Sequence, residues 1–367
     1  MKLKRTLLPP AFFGLSVLCL TLAFVAVHAK PSLKHAPRDT TVPGASAFTA
    51  EEAQYWKGKI ASDGGVDAYQ AFSKAVAKDA PSSQHLQAHE FGGLLFEVEG
   101  IAALTACDIQ FSMGCFHEFL GQAISSQGIG VIGTLAQECG TLDRFTQSEC
   151  FHGIGHGIQA WLGYEPKDLL KGLKLCKAAS APYEFANGGC VAGLYMEFYF
   201  RTMISSDHAT QRPLVDNNYL SPCDLVYEDD KPTCVSWLPL WWANLFHAQS
   251  QPGKIDTEAL YIKLGKTCRL LGLPQDLTDA CFEGIGLTTA AFETITPKQA
   301  AGDCVFASAA LREETVCKGA VAWVFRHGPG SGIETACDGL TDTSLTYCMA
   351  YATGNLKVFG SIPVPEL

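Results

Sequence analysis

Charge is scarce in this chain. Asp, Glu, Lys and Arg make up 17% of its 367 residues, while apolar types make up 47%. That composition excludes a disordered polypeptide and leaves enough apolar matter for one large domain or a repeat array with a continuous core. A basic excess is also missing: 27 Lys and Arg face 37 Asp and Glu, a net charge of −10. A surface of that sign repels phosphate backbones, which argues against nucleic acid as the partner. Several chemical signatures are absent as well. No C-x-x-C spacing occurs, so thiolate zinc and redox motifs are not offered, and without C-x-x-C-H any haem would have to bind non-covalently. There is no G-x-S-x-G elbow and no H-E-x-x-H. The glycine-rich stretch after His327, "FRHGPGSG", has neither the preceding strand nor the following lysine of a phosphate loop.

What the chain has in quantity is cysteine. Residues 1–29 read as an export signal or signal anchor: Lys2, Lys4 and Arg5 precede an apolar run from Ala11 to Val27, and Val27-His28-Ala29 offers a cleavage site. Membrane association is expected only if this segment stays uncleaved. Cleavage after Ala29 removes three cations and no acid, taking the net charge from −10 to −13. It also leaves fourteen of the 15 cysteines, an even number in a chain read as exported to a periplasmic or secreted location, where disulfides persist. Residues 30–48, rich in Pro, Ser, Thr and Ala, read as a flexible linker. Residues 49–367 then form the folded domain, with a His-rich half over 81–200 and an aromatic-rich half over 201–367.

The fourteen cysteines fall into seven successive pairs: Cys107/Cys115, Cys139/Cys150, Cys176/Cys190, Cys223/Cys234, Cys268/Cys281, Cys304/Cys317 and Cys337/Cys348. Second cysteines recur every 31 to 47 residues, the period of a helical hairpin. Amphipathic stretches such as "VIGTLAQEC", "DLLKGLKLC" and "LYIKLGKTC" lead into first cysteines with helical spacing, and apolar segments rich in small residues follow the second ones. The spacing predicts an all-α array of αα-hairpins, solenoid-like, with one disulfide per hairpin. In each, the first cysteine ends one helix and the second opens the next. A staple across ~12 residues contributes ~2–3 kcal/mol by chain entropy. Upstream, residues 49–80 read as one or two helices broken at Gly64-Gly65, and Ser82-Ser83 as the cap of the helix that follows. The rhythm over residues 81–350 resembles the cysteine-clamped helical repeats of Sel1-like secreted proteins, and that resemblance implies an architecture of stapled hairpins.

A histidine register runs through the first repeats. "AHEFGGLL", "FHEFLGQA" and "FHGIGHGI" superpose so that His89, His117 and His152 occupy one position, continued by Ala192, Ser236, Glu283, Gly319 and Ala350. Stacked hairpins set equivalent positions side by side, about one helix spacing (~10 Å) apart, from which long imidazoles converge. His85 lies four residues before His89 and His156 four after His152, so each pair shares a helix face. The candidate metal ligands are therefore His85, His89, His117, His152 and His156. Glu118 or Glu197 is the candidate general base or further ligand, although Glu90 and Glu118 turn about 100° from the preceding histidine, toward solvent on an isolated helix. The pairs His89-Glu90 and His117-Glu118 are similar to the metal-binding dipeptides of HEAT-repeat di-iron hydroxylases. That family uses four such pairs; here His152 is followed by Gly153, and the C-terminal half has none.

Imidazole donors suit zinc, copper or iron. With zinc the expected chemistry is hydrolysis through an activated water, and with copper or iron it is oxidation. The alternative is a non-catalytic scaffold whose concave face holds a peptide, glycan or envelope partner, its histidines tuning pH response or packing. Clustering of the imidazoles within ~5 Å, against scattering along a groove, separates the two. The substrate or partner is an unidentified small molecule, peptide or protein. Trp237, Trp241, Trp242 and Phe246, in "SWLPLWWANLF", read as core.

Overall fold

The computed structural model describes residues 48–183, 186–202, 212–248, 256–290, 296–308, 310–326 and 332–353. The stretch read as an export signal, the stretch read as a linker up to residue 47, and His327 lie outside them. Among the described residues there is no strand. Helix α1 spans Ala50–Asp63 and α2 spans Gly65–Val76. The break falls where the sequence places it, at Gly64, whose φ of 85° suits a residue without Cβ. Thr49 starts α1 with a reciprocal capping box to Glu52.

Beyond α2 the α-helices form two rows. One row holds α3 (Pro81–Glu99), α4 (Gly114–Gln127), α6 (Arg144–Leu162), α8 (Ala186–Phe200), α9 (Lys231–Ala248), α11 (Gln275–Ala290), α13 (Leu311–Arg326) and α14 (Asp342–Ala352), each packed on the next. A second row covers it: α5 (Ile132–Cys139), α7 (Pro166–Ser180), α10 (Thr257–Leu270) and α12 (Pro297–Ala307). The amphipathic stretches of the sequence supply this outer row. In α5 the buried residues are Ile132, Leu135, Ala136 and Cys139; in α10 they are Tyr261, Leu264, Gly265, Thr267 and Cys268. Both sets recur at helical spacing.

All seven cysteine pairs are bonded as the spacing implies. Cys107 joins Cys115, Cys139 joins Cys150, Cys176 joins Cys190 and Cys223 joins Cys234. Cys268 joins Cys281, Cys304 joins Cys317 and Cys337 joins Cys348. Their Cα–Cα distances run from 5.5 to 5.9 Å. Seven buried disulfides are the signature of an oxidising environment rather than a reducing cytosol. Among the described residues no helix is long and apolar enough to cross a membrane.

Three details differ from the sequence expectation. The outer member is not always an α-helix: a 3-10 turn over Ile101–Ala106 leads to Cys107, turns lead to Cys223, and a 3-10 turn over Ile333–Cys337 carries Cys337. These segments lack the roughly two to four turns of apolar periodicity that α5, α7 and α10 possess.

The second difference concerns where the second cysteines sit. The spacing predicts that they open the inner helices; Cys115, the second residue of α4, does so, and the others lie farther inside theirs. Cys150 falls within α6, Cys234 within α9, Cys281 within α11 and Cys348 within α14, because the bond forms where two chain segments face each other flank to flank. For Cys234 and Cys348 the partner is one of the irregular segments, so the staple ties a turn to a helix flank rather than one helix to another. Tyr199 on α8 closes over the Cys223–Cys234 bond, its hydroxyl 3.5 Å from Sγ of Cys223 and 3.7 Å from Sγ of Cys234. The third difference is that α3 begins at Pro81 in the first helical position, ahead of Ser82-Ser83.

Close approach within the inner row follows from glycine. Three residues after the histidine register, Gly92, Gly155 and Gly286 face the carbonyl of the second cysteine of the next hairpin: Cys115, Cys190 and Cys317 respectively. One residue after the register, Gly153 and Gly193 meet the carbonyls of Phe116 and His152 on the preceding helix. A Cβ at Gly155 or Gly193 would collide with that backbone, so these helices sit closer than side-chain-to-side-chain packing allows. The aromatic half is core, as its sequence indicates. Trp237, Trp241, Trp242 and Phe246 are buried, and the indoles of Trp241 and Trp242 donate to the carbonyls of Arg212 and Tyr219 at 2.7 and 3.1 Å.

Candidate metal centre

Helices α3, α4 and α6 carry five imidazoles to one place. His85 and His89 lie one turn apart on α3, His117 on α4, and His152 and His156 one turn apart on α6. Two groups of three result, each with its ligand atoms within 4.8 Å of one another: His85, His89 and His117, and His117, His152 and His156. His117 belongs to both. The first group reaches the surface, His85 and His89 being partly buried. The second is enclosed, with His152 at 8% exposure and His156 at 0%.

In the outer group, Nε2 of His85 and Nε2 of His89 are 3.1 Å apart, and Nδ1 of His117 is 3.2 Å from the same His89 nitrogen. A ring nitrogen carries either one proton or one lone pair in its plane, so hydrogen bonds alone leave part of this meeting unsatisfied. On the far side of its ring, the Nδ1–H of His85 donates to the carbonyl oxygen of Phe111 at 2.7 Å. A carbonyl only accepts, so the neutral ring has its lone pair on Nε2, directed at His89. The Phe111 carbonyl reaches His85 through an unusual turn in which Phe111, Ser112 and Met113 all have positive φ, at 54°, 50° and 64°. The Cys107–Cys115 disulfide closes that turn, and the Phe111 ring packs against Tyr69 and Phe72.

The inner group has the same construction with a carboxylate behind it. Nε2 of His156 is 3.1 Å from Nε2 of His152, and the Nδ1–H of His156 donates to Oε2 of Glu197 at 3.1 Å. Glu197 on α8 is fully buried and held from two more directions. Tyr164 donates to its Oε1 at 2.5 Å and Thr202 to its Oε2 at 2.6 Å. This carboxylate fixes the His156 tautomer and turns the Nε2 lone pair inward.

Burial sets the protonation of the cluster. Desolvation first, and then the neighbouring imidazoles, pull His85 down to about 3, and hold His117 and His152 well below the usual histidine range. His156 is likewise lowered to about 3 by burial and by His89. His85, His117, His152 and His156 are therefore held in the neutral form, the one in which nitrogen is a metal donor.

Glu118 departs from the expectation of a solvated side chain. It is buried at 4% exposure, accepts from Gln122 Nε2 at 3.1 Å, and has Oε2 3.9 Å from Nδ1 of His89. Helix α4 is flanked by α3 and α6, so residues on both sides of it are enclosed. Glu90 does turn away: its Oε2 accepts from the backbone N–H of Phe48 at 2.6 Å. Sequence reasoning missed Phe111, Tyr164 and Thr202, which act from turns and helix ends where no periodicity marks them. In the C-terminal half the register holds Ser236, Glu283, Gly319 and Ala350; Glu283 accepts from Tyr351 at 2.7 Å, and no histidine group forms there among the described residues.

Two triads of imidazole nitrogen donors could each hold a metal ion, and they suit a transition metal. Nitrogens sharing one tetrahedral zinc at ~2.0–2.1 Å lie roughly 3.3–3.4 Å apart, close to the 3.1 and 3.2 Å found at His89. Among known proteins, no family model, curated sequence or solved structure matches this chain, and what the structure shows is an all-helical array with seven bonded cysteine pairs.

Proposed function

We propose that this is an exported, periplasmic or secreted metalloprotein in which His85, His89, His117, His152 and His156 bind a transition metal, and that it is a metalloenzyme. The observation that carries the reading is the meeting of three imidazole nitrogens at His89, with the His85 tautomer set by the Phe111 carbonyl. His85, His89 and His117 would hold an ion at the partly exposed outer position, and three protein donors there would leave room for water or substrate, as in catalytic rather than structural zinc sites. Zinc there would supply a hydroxide for hydrolysis, whereas copper or iron would supply oxidation.

The residues of the chain divide the work. Glu197, occupied by His156, Tyr164 and Thr202, orients a ligand. Glu118, beside His89 at the outer position, is the candidate further ligand or general base. The scaffold alternative calls for histidines scattered along a groove, whereas these form two groups of three, sharing His117, with ligand atoms within 4.8 Å of one another in each group.

The test is elemental analysis of the natively exported protein, in the wild type, in His85→Ala plus His89→Ala and in His152→Ala plus His156→Ala. Stoichiometric zinc, copper or iron in the wild type, reduced in the variants, supports the reading. Equal and negligible metal in all three disposes of it.

A further inference from the structure

His117 stands between the two triads, and its two nitrogens have different surroundings. Nδ1 faces the outer group, 3.2 Å from Nε2 of His89. Nε2 is buried and has no hydrogen-bond partner. The ring centroid is 4.8 Å from that of His156 and 5.3 Å from that of His152, against 5.1 Å from His89 and 5.7 Å from His85. A buried ring nitrogen without a partner has lost its water and gained nothing in exchange. A ligand on that side restores a partner.

We infer that His117 bridges two metal ions, one held by His85 and His89 through its Nδ1 and one held by His152 and His156 through its Nε2. This rests on the metal reading above and specifies how that centre is organised. A neutral imidazole has one lone pair and one N–H, so it ligates the first ion as it stands. Binding of the second displaces the remaining proton to solvent and leaves an imidazolate shared between the two. Both flanking groups are prepared for this, because His85 and His156 each spend Nδ1–H on an oxygen, the Phe111 carbonyl and the Glu197 carboxylate, and direct Nε2 inward. A bridge through the ring holds the ions farther apart than the ~3.5–4 Å of two-metal sites that clamp a single displacement. The ions therefore have separate tasks: the outer one meets solvent and substrate, and the enclosed one sets the charge on the shared ring and so tunes the outer one.

The probe is cupric ion, titrated into the metal-free full chain and followed by bound copper and by electron paramagnetic resonance. A bridged pair gives two ions per chain, with a signal that grows through the first equivalent and collapses through the second as the spins couple. In variants, His117→Ala loses both ions, whereas His85→Ala loses one and His152→Ala the other. One ion in the wild type, two ions with additive signals, or an ion kept at full occupancy by His117→Ala each overturns the bridge while leaving metal binding intact. No copper bound at all defeats the metal reading with it. The wild-type titration decides the question even if a variant fails to fold.

Discussion

The Nδ1–H of His85 donates to the carbonyl of Phe111 at 2.7 Å, and this bond determines which nitrogen of His85 faces the other imidazoles. It depends on three successive left-handed residues, of which Ser112 is exposed and makes no use of its side chain in the cluster. An L-residue there costs about 1–2 kcal/mol relative to glycine. Ser112→Gly is expected to raise stability by ~1 kcal/mol, seen as a higher urea midpoint with unchanged slope. A lower midpoint would mean that the turn is not held in this conformation.

Glu197 is the orienting carboxylate of the inner group. Glu197→Gln keeps the shape but removes the charge that makes His156 a strong donor. Loss of such a partner costs ~10–100-fold in metal affinity. Competition with a chelator is expected to show that loss at the enclosed position, with a much smaller change at the outer one. Unaltered affinity would assign Glu197 a packing role only.

Glycines set the distance between inner-row helices. In Gly155→Ala the new Cβ meets the Cys190 carbonyl, and backbone cannot move aside as a flexible side chain would. The substitution is expected to cost about 1–3 kcal/mol and to weaken metal binding by drawing α6 away from α8, and His156 with it from Glu197. Gly133→Ala, where nothing lies within 4 Å, is the control and should be neutral or slightly stabilising. Equal effects at the two positions would count against close helix approach.

Far from the histidines, Asp303 is half-buried and desolvation raises it to about 6. A folded value above the unfolded ~3.9 means that this group favours the folded state below about pH 4 and loses that contribution as pH rises through 6. Asp303→Asn is accordingly expected to raise the thermal midpoint at pH 7.5, with the gain vanishing by pH 4. A gain of equal size at both values would show that the carboxylate is not responsible.

Much of this organisation is legible in the sequence, for reasons specific to each part. Local cysteine pairs report their own bonding because a hairpin brings only neighbours together, so Cys139 meets Cys150 and Cys268 meets Cys281. The same spacing says less about what each cysteine is attached to. Cys234 and Cys348 pair as their positions imply, yet the segments that carry their partners, Cys223 and Cys337, are turns too short in apolar repeats to become α-helices. The histidine register is legible because repetition converts equal position into proximity. Glu118 was obscured by the same reasoning: its angle from His117 implies solvent on a lone helix, but α4 has neighbours on both sides. The clamps on Glu197 were hidden because Tyr164 and Thr202 come from irregular segments after α6 and α8. The left-handed turn at Phe111 has no glycine to announce it.

Everything functional depends on imidazoles sharing a metal rather than only one another's protons. X-ray absorption of the zinc-loaded protein measures this most directly. The expected spectrum has a shell of about four nitrogen or oxygen neighbours at ~2.0–2.1 Å, with the outer-shell scattering of several imidazole rings. A six-oxygen shell without imidazole scattering, or no zinc retained after dialysis, would contradict the account.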